Sequence, residues 1–216
     1  MSIVKHLLLG SSLSLLLAAC GGADDSANTN NAAAVNAGAA DSTRTADNAG
    51  AGDWLTLSGS LDGWRQIGTA NWRLENGEFV ADSGNGHLVT QADYDNFQIR
   101  LEFWVDEPAN SGVFLRASDP NAINQGNAYE VNIYDTRPDP AYRTGAIVEF
   151  VSPSAMLNTA NQWNTYDITA DGNHLVVVLN GMTTVDAELD AYQRGPISLQ
   201  YGAGVVKFRN IEIREL

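Results

Sequence analysis

The chain has 216 residues, enough for one domain plus appendages. Its 26 acidic residues against 12 lysines and arginines leave a formal net charge of −14, which argues against nucleic acid as a partner and against docking of the folded part on anionic lipid. The single cysteine stands at position 20, so the domain must rely on its hydrophobic core without a disulfide.

In chain order, residues 2–19 carry Lys5 and His6, a leucine-rich run from Leu7 to Leu17, and then Ala18-Ala19 before Cys20. A basic start, a short apolar core and small residues before a cleavage point read as a secretory signal. The run is too short for a comfortable membrane span. Leu17-Ala18-Ala19-Cys20 resembles a bacterial lipoprotein signal, which implies removal of residues 1–19 and lipidation of Cys20. An ordinary signal peptide with Cys20 incidental is the alternative. Acyl chains contribute roughly 0.8 kcal/mol per buried methylene, so such a lipid is the expected membrane attachment. Gly21 follows in place of an acidic residue, which by the same resemblance points to the outer membrane of the cell envelope. Residues 21–52 are almost entirely Ala, Asn, Gly, Asp, Ser and Thr, with Arg44 the one basic residue and Val35 the only large aliphatic. They cannot offset their ordering entropy and are expected to form a disordered tether, with an r.m.s. span of about 30 Å.

The folded domain is expected over 53–216. Short alternating or apolar runs predict strands at 72–75, 78–82, 87–90, 97–105, 112–117, 129–134, 145–150, 164–170, 174–179, 182–188, 195–200 and 205–215. Asn76-Gly77, Asp171-Gly172 and Asn180-Gly181 lie between such runs, and Asx-Gly is a strong hairpin signal. With no run that keeps a helical period, the pattern implies an all-β sandwich or barrel. In the strand over 97–105, Ile99, Leu101, Phe103 and Val105 fall on one face and should point to the core. The stretch from Asn110 to Asp135 concentrates polar groups: alternation puts Gly112, Phe114 and Arg116 on one face of the first strand, and Glu130, Asn132 and Tyr134 on one face of the second. If both strands share a sheet, Arg, Glu, Asn and Tyr meet there, the side chains of a sugar site.

Several motifs, in order, resemble the 3-keto-disaccharide hydrolase domain family across nearly all of residues 55–216. They are Asp62-Gly63-Trp64, Trp72-Arg73-Leu74-Glu75-Asn76-Gly77, Asn110 to Arg116, Tyr129 to Asp135, Arg143-Thr144-Gly145-Ala146-Ile147, Gln162-Trp163-Asn164, Gly195-Pro196-Ile197-Ser198-Leu199-Gln200 and Phe208-Arg209-Asn210-Ile211. The resemblance implies a concanavalin A-like jelly roll of two antiparallel sheets with a ligand groove on the concave face. It also implies exported, sugar-handling proteins, some of which cleave 3-keto-glycosides. A C3 ketone acidifies the C2 proton, so a base can remove it, expel the C1 substituent, and let water add to the enone. That chemistry needs a base near C2, an electrophile or cation at the ketone oxygen, and an acid near the leaving oxygen. Two departures bear on it. Many members read Leu-Gln-Asp-His-Gly where this chain has Leu199-Gln200-Tyr201-Gly202-Ala203, and Tyr-Gly where this chain has Val148-Glu149.

Glu130 as base and Arg116 as the grip on a hydroxyl or keto oxygen form the expected catalytic pair; a plain cross-strand salt bridge is the other reading. Asn132, Tyr134, Arg143, Gln200 and Trp104 are candidate substrate contacts, with Tyr134 and Trp104 equally at home in the core or at its rim. Trp54, Trp64, Trp72 and Trp163 read as packing residues. His87 follows Gly84-Asn85-Gly86, a loop able to approach a ligand. A zinc site is not expected from His87 and His174, far apart and without cysteine. A divalent cation on oxygen ligands is compatible with the carboxylates, Asp135 and Glu149 being weak candidates, although no spaced acidic loop identifies one. Asp135 could equally cap the turn toward Pro138. The expected function is an envelope-anchored enzyme acting on 3-keto-glycosides; a non-catalytic carbohydrate-binding lipoprotein and an adhesion or scaffold domain are the alternatives.

Overall fold

The computed structural model describes residues 52–216; the signal, Cys20 and the expected tether up to residue 51 lie outside the described residues. In chain order the strands are β1 (Leu55–Thr56), β2 (Trp64–Gly68), β3 (Arg73–Glu75), β4 (Glu78–Ala81), β5 (Gly86–Thr90), β6 (Phe97–Val105), β7 (Asn110–Leu115) and β8 (Tyr129–Ile133). They continue with β9 (Trp163–Asp171), β10 (His174–Leu179), β11 (Met182–Glu188), β12 (Ser198–Ala203) and β13 (Val206–Glu215). The larger sheet has the order β11-β10-β9-β6-β13-β4-β3, with β1 also paired to β13; the smaller has the order β2-β5-β12-β7-β8. Every strand pairing is antiparallel. This is the expected jelly-roll sandwich.

Local chemistry accounts for the hairpins. Asn76 and Gly77 take φ of 52° and 84°, and Asn180 and Gly181 take 51° and 80°. Two successive left-handed residues give the turn twist that matches antiparallel strands, and Asn-Gly is the pair that enters it most easily. The turns join Glu75 to Glu78 and Leu179 to Met182 across their pairs.

The core lies between the sheets. Ile99, Leu101, Phe103 and Val105 are all buried in it, as their alternation requires. Phe103 and Tyr166 stack with centroids 4.9 Å apart, and each such side chain contributes about 1.5–3 kcal/mol when fully buried. The smaller sheet supplies Leu88, Val113, Leu115, Tyr129, Val131, Ile133 and Leu199 from its inner face.

Three elements differ from expectation, one of them an unpredicted strand. β2 is an edge strand of which only Trp64 is buried, so its sequence lacks the alternation that would reveal it. The run over 145–150 is no strand but a segment bridged to the β8 edge at Ile147–Val131 and closed on itself at Ile147–Val151. The chain reverses there, with Glu149 at a φ of 68°. β12 begins at Ser198 and continues to Ala203, so Gln200 sits mid-strand and not at its end.

Candidate functional site on the outer face of the smaller sheet

The registers align two rows of side chains on the outward face of the smaller sheet. One row runs Arg65, Val89, Ser198, Phe114, Glu130; the next runs Ile67, His87, Gln200, Gly112, Asn132. In the first row, Val89 and Phe114 form a small apolar cluster with Ala117, Ile123 and Ala128, so residues 117–128 fold over part of that row. In the second row the floor dips at Gly112. A Cβ there would stand 3.2 Å from Glu130 Cγ and 3.3 Å from its Oε1. The missing side chain leaves the space in which the Glu130 carboxyl sits.

Glu130 is 3% exposed and makes no side-chain hydrogen bond or ion pair among the described residues. Loss of water raises its pKa from the usual carboxylate value to about 7, with Arg137 opposing the rise and Glu149 adding to it. Desolvation leads because the charged form is the one that needs water. Arg137 lies in the loop after β8, its guanidinium 5.7 Å from the centre of the Tyr142 ring. The same loop orients Asn132, whose Nδ2 donates to the Tyr142 carbonyl. With its nitrogen so engaged, the buried Asn132 Oδ1 has no partner, and neither has the buried Gln200 Oε1. Buried polar atoms are nearly always paired, so two orphaned amide oxygens beside an unpaired carboxyl mark this face as built to receive something. From the core side, Tyr166 OH donates to the Asn132 carbonyl at 2.7 Å and fixes the backbone beneath.

His87 is the neighbour of Gln200 across β5 and β12. Its Nδ1 lies 2.8 Å from Ser198 Oγ, and its ring packs edge-on against Phe114 with centroids 5.1 Å apart. Burial pushes its pKa down to about 4, so the imidazole is neutral at physiological pH. If Ser198 donates to Nδ1, the proton is on Nε2. His87, Ser198, Gly112 and Arg137 are not identifiable as site residues from their own segments. Only strand register and loop closure unite them, and the Gly-rich approach to His87 is the one local hint.

The expected residues fare unequally. Glu130, Asn132 and Gln200 come together as described. Arg116 does not join them. It follows β7 at a φ of 55°, which breaks the alternation and turns its side chain away. Arg116 is fully buried, and Nε and Nη2 both donate to the Asp95 carbonyl, at 2.9 and 2.6 Å. Nη1 donates to the carbonyls of Gly172 at 2.7 Å and Tyr192 at 3.3 Å, and Nη2 also to Asn96 Oδ1 at 3.3 Å. It is a clamp on three loops, and neither a substrate grip nor a salt bridge to Glu130. Trp104 belongs to the outer face of the larger sheet, opposite Trp163 and Lys207, with Lys207 Nζ 5.4 Å from its ring centre. Trp64 and Trp72 are core as expected, whereas Trp54 and Trp163 carry arginines on their rings at 4.0 and 3.8 Å.

Arg143 donates from Nε to the Arg137 carbonyl at 3.0 Å and lines a separate cavity of about 590 Å³ with Asp135, Glu107 and Asn158. Tyr134 is half-buried just beyond the end of β8. Asp135 ties the turn after β8 to the segment before β9. Its Oδ1 accepts from the hydroxyls of Thr144 and Thr159 at 2.5 and 2.9 Å, and its Oδ2 from the amides of Thr159 and Ala160 at 2.6 and 3.1 Å. Among the described residues no three His, Cys, Asp or Glu side chains group to hold a metal. The oxygen donors offered by the face are Glu130, Asn132 and Gln200, a set suited to a hard cation.

A cavity of about 380 Å³ on the larger sheet is lined by Arg100, Glu102, Thr165, Asp167, Asn210 and Glu212. Arg100 pairs with Glu212 and Glu102 with Arg209, both at 2.7 Å, and Asp167 accepts from Gln98 Nε2 at 2.7 Å. Buried polar atoms without a partner remain on the smaller sheet at Asn132 and Gln200, and beside β3 at Trp72 Nε1 and Arg73 Nη1.

The departure after Gln200 has a structural counterpart. Tyr201 is core, its hydroxyl donating to the Gly204 carbonyl at 2.9 Å. At Gly202 a Cβ would meet Asn110 Nδ2 at 2.9 Å and the Asn110 carbonyl at 3.0 Å. Asn110 therefore fills the space that a histidine at 202 would need.

Among solved structures, the chain is similar to two proposed glycosyl hydrolases from Parabacteroides distasonis. One is 18% identical with a TM-score of 0.64, covering 71% of this chain and 88% of that one; the other is 23% identical with a TM-score of 0.60, covering 71% and 99%. A carbohydrate binding module, CBM66 from Bacillus subtilis, is 15% identical with a TM-score of 0.58, covering 71% and 96%. At such identities the likeness is one of fold. No curated protein matches the chain. The model of the 3-keto-alpha-glucoside-1,2-lyase-like domain matches residues 53–214, nearly the whole described sandwich including both rows of the face, and the chain belongs to that carbohydrate-related family.

Proposed function

We propose that the outer face of the smaller sheet binds a 3-keto-glycoside and cleaves it by elimination, with Glu130 as the base. The observation that supports this is the Glu130 carboxyl, 3% exposed, unpaired, and with a proton affinity raised to about pH 7. A base so placed is ionised often enough at neutral pH to act and basic enough to hold a carbon-bound proton. Glu130 takes the C2 proton; the electron pair forms the C1–C2 double bond conjugated with the C3 ketone; the C1–O bond breaks and the leaving oxygen takes up a proton. Water then adds across the enone. With Ser198 donating to Nδ1, neutral His87 would present its Nε2–H as a hydrogen-bond donor to the ketone or leaving oxygen. Where a divalent cation is bound, Glu130, Asn132 and Gln200 are the residues that would hold it, and it would polarise the ketone oxygen.

A second reading, carbohydrate binding without turnover, is favoured by Tyr201 and Gly202, where neither an acid nor an imidazole stands. The experiment is incubation of the purified protein with 3-keto-trehalose or a 3-keto-glucoside, with and without divalent metals. Turnover that falls at least a hundredfold in Glu130→Gln is expected. Saturable binding with no turnover in the unaltered protein would leave the lectin reading. We further propose that the domain is exported, lipidated at Cys20 and held to the cell envelope by residues 20–52.

A further inference from the structure

The cavity of about 590 Å³ at the end of β8 falls within the roughly 300–1,000 Å³ of small-molecule sites. One wall holds Asp135 and Arg143, the other Met156, Asn158 and Asn161, and Glu107 joins from the turn between β6 and β7. Which of these groups are already engaged decides what the cavity can take.

Asp135 is fully engaged. Its oxygens accept from the Thr144 and Thr159 hydroxyls and the Thr159 and Ala160 amides, and a carboxylate has about four lone-pair sites. Arg143 is not. Its Nε donates to the Arg137 carbonyl at 3.0 Å, which fixes the guanidinium plane, while its two terminal nitrogens make no hydrogen bond or ion pair among the described residues. Arg73, Arg100 and Arg209 all meet carboxylates, and the chain has 26 acidic residues to choose from. The parallel N–H groups of a guanidinium form a rigid fork that matches two adjacent oxygens.

On the other wall, the Asn158 and Asn161 side chains are exposed and make no hydrogen bond among the described residues. Asn161 stands at a φ of 62°, a region that asparagine enters more readily than most residues and glycine more readily still. Met156, 56% exposed, adds an apolar surface, and exposed Glu107 adds an acceptor. A fork of donors, two amides that give and accept, an acceptor and an apolar contact suit a sugar ring, whose hydroxyls do both and whose C–H faces are apolar. Charge selects a neutral one, since Glu107 and the net charge of −14 oppose an anion.

We propose that this cavity is a second carbohydrate site, separate from the Glu130 face, that binds a neutral sugar unit with vicinal hydroxyls on the Arg143 fork. It does not rest on Glu130 acting as a base. The test uses trehalose, which has no ketone to permit elimination, titrated into the 15N-labelled full-length protein and followed by NMR. The side-chain amides of Asn158 and Asn161 and the Arg143 Nε–H, each assigned by its loss on substitution, should shift saturably. Arg143→Gln should raise the dissociation constant about tenfold or more, and Asn161→Gly about threefold. Glycine suits the backbone at 161 and leaves the loop that orients Asn132 untouched, so this second variant separates binding from folding. Affinity should not change with salt, because the ligand is neutral. No shift at these signals overturns the proposal, as does unchanged affinity in both variants. Glucuronate binding more tightly than trehalose, and losing affinity as salt is added, would make this an anion site and equally overturn it. Turnover of 3-keto-trehalose without binding here sinks the second site alone; trehalose binding here in a protein without turnover upholds it and sinks only the catalytic reading.

Discussion

Glu130 shows at the scale of one residue how a site opposes the fold that carries it. Ionising it in the folded state is disfavoured by the rise from 4.5 to about 7. Below about pH 4 both folded and unfolded chains are protonated there, and nothing is lost. As pH rises through 4.5 the unfolded chain sheds its proton first, and stability falls until the folded group ionises near 7. The full effect is about 3 kcal/mol. Glu130→Gln should therefore be more stable than the unaltered chain at pH 8, with the difference vanishing near pH 4; thermal melts at the two pH values check this. Equal melting temperatures at pH 8 would show that the carboxyl is solvated. At this scale the sequence is partly legible: Glu130, Asn132 and Gln200 stand out as polar residues in apolar strands. His87 and Gly112 do not, because their role comes from neighbours 113 and 18 positions away, Gln200 and Glu130, that alternation does not locate.

Among the elements, Arg116 and the reversal after Gly145 mark where periodicity stops informing. Alternation assigns Arg116 to the face of Phe114, yet one left-handed residue sends it between loops. There it satisfies carbonyls of Asp95, Gly172 and Tyr192. Arg116→Met leaves those groups buried without a donor and should cost about 3–5 kcal/mol, read as a lower urea midpoint. Arg116→Lys keeps the charge but not the fork of donors and should recover only part of it. Loss of turnover at unchanged stability in either variant would return Arg116 to the substrate. The Asn-Gly hairpins and the core face of β6, by contrast, are local and read correctly, since turn chemistry and a period of two need only adjacent residues.

For the whole molecule, the proposed anchor at Cys20 separates attachment from the folded domain. Cys20→Ser should shift the protein from the membrane fraction to the soluble envelope fraction, while the glycan activity or binding of the domain is unchanged; retention in the membrane pellet would remove the lipid from the account. Composition, hairpin signals, the clean alternation of β6 and the ordered motifs from Asp62 to Ile211 were enough by themselves for the all-β class, the jelly roll and the family. These features depend on contacts between near neighbours or on residue patterns that survive without coordinates. Which polar side chains share the site was decided only by the tertiary structure. Pairing of β5, β12, β7 and β8 brings His87, Gln200, Gly112 and Glu130 onto one face, and φ at Arg116 sends one expected residue away. Register between distant strands and the hand of a single backbone angle are set by the packing of the whole sandwich, which no local period encodes.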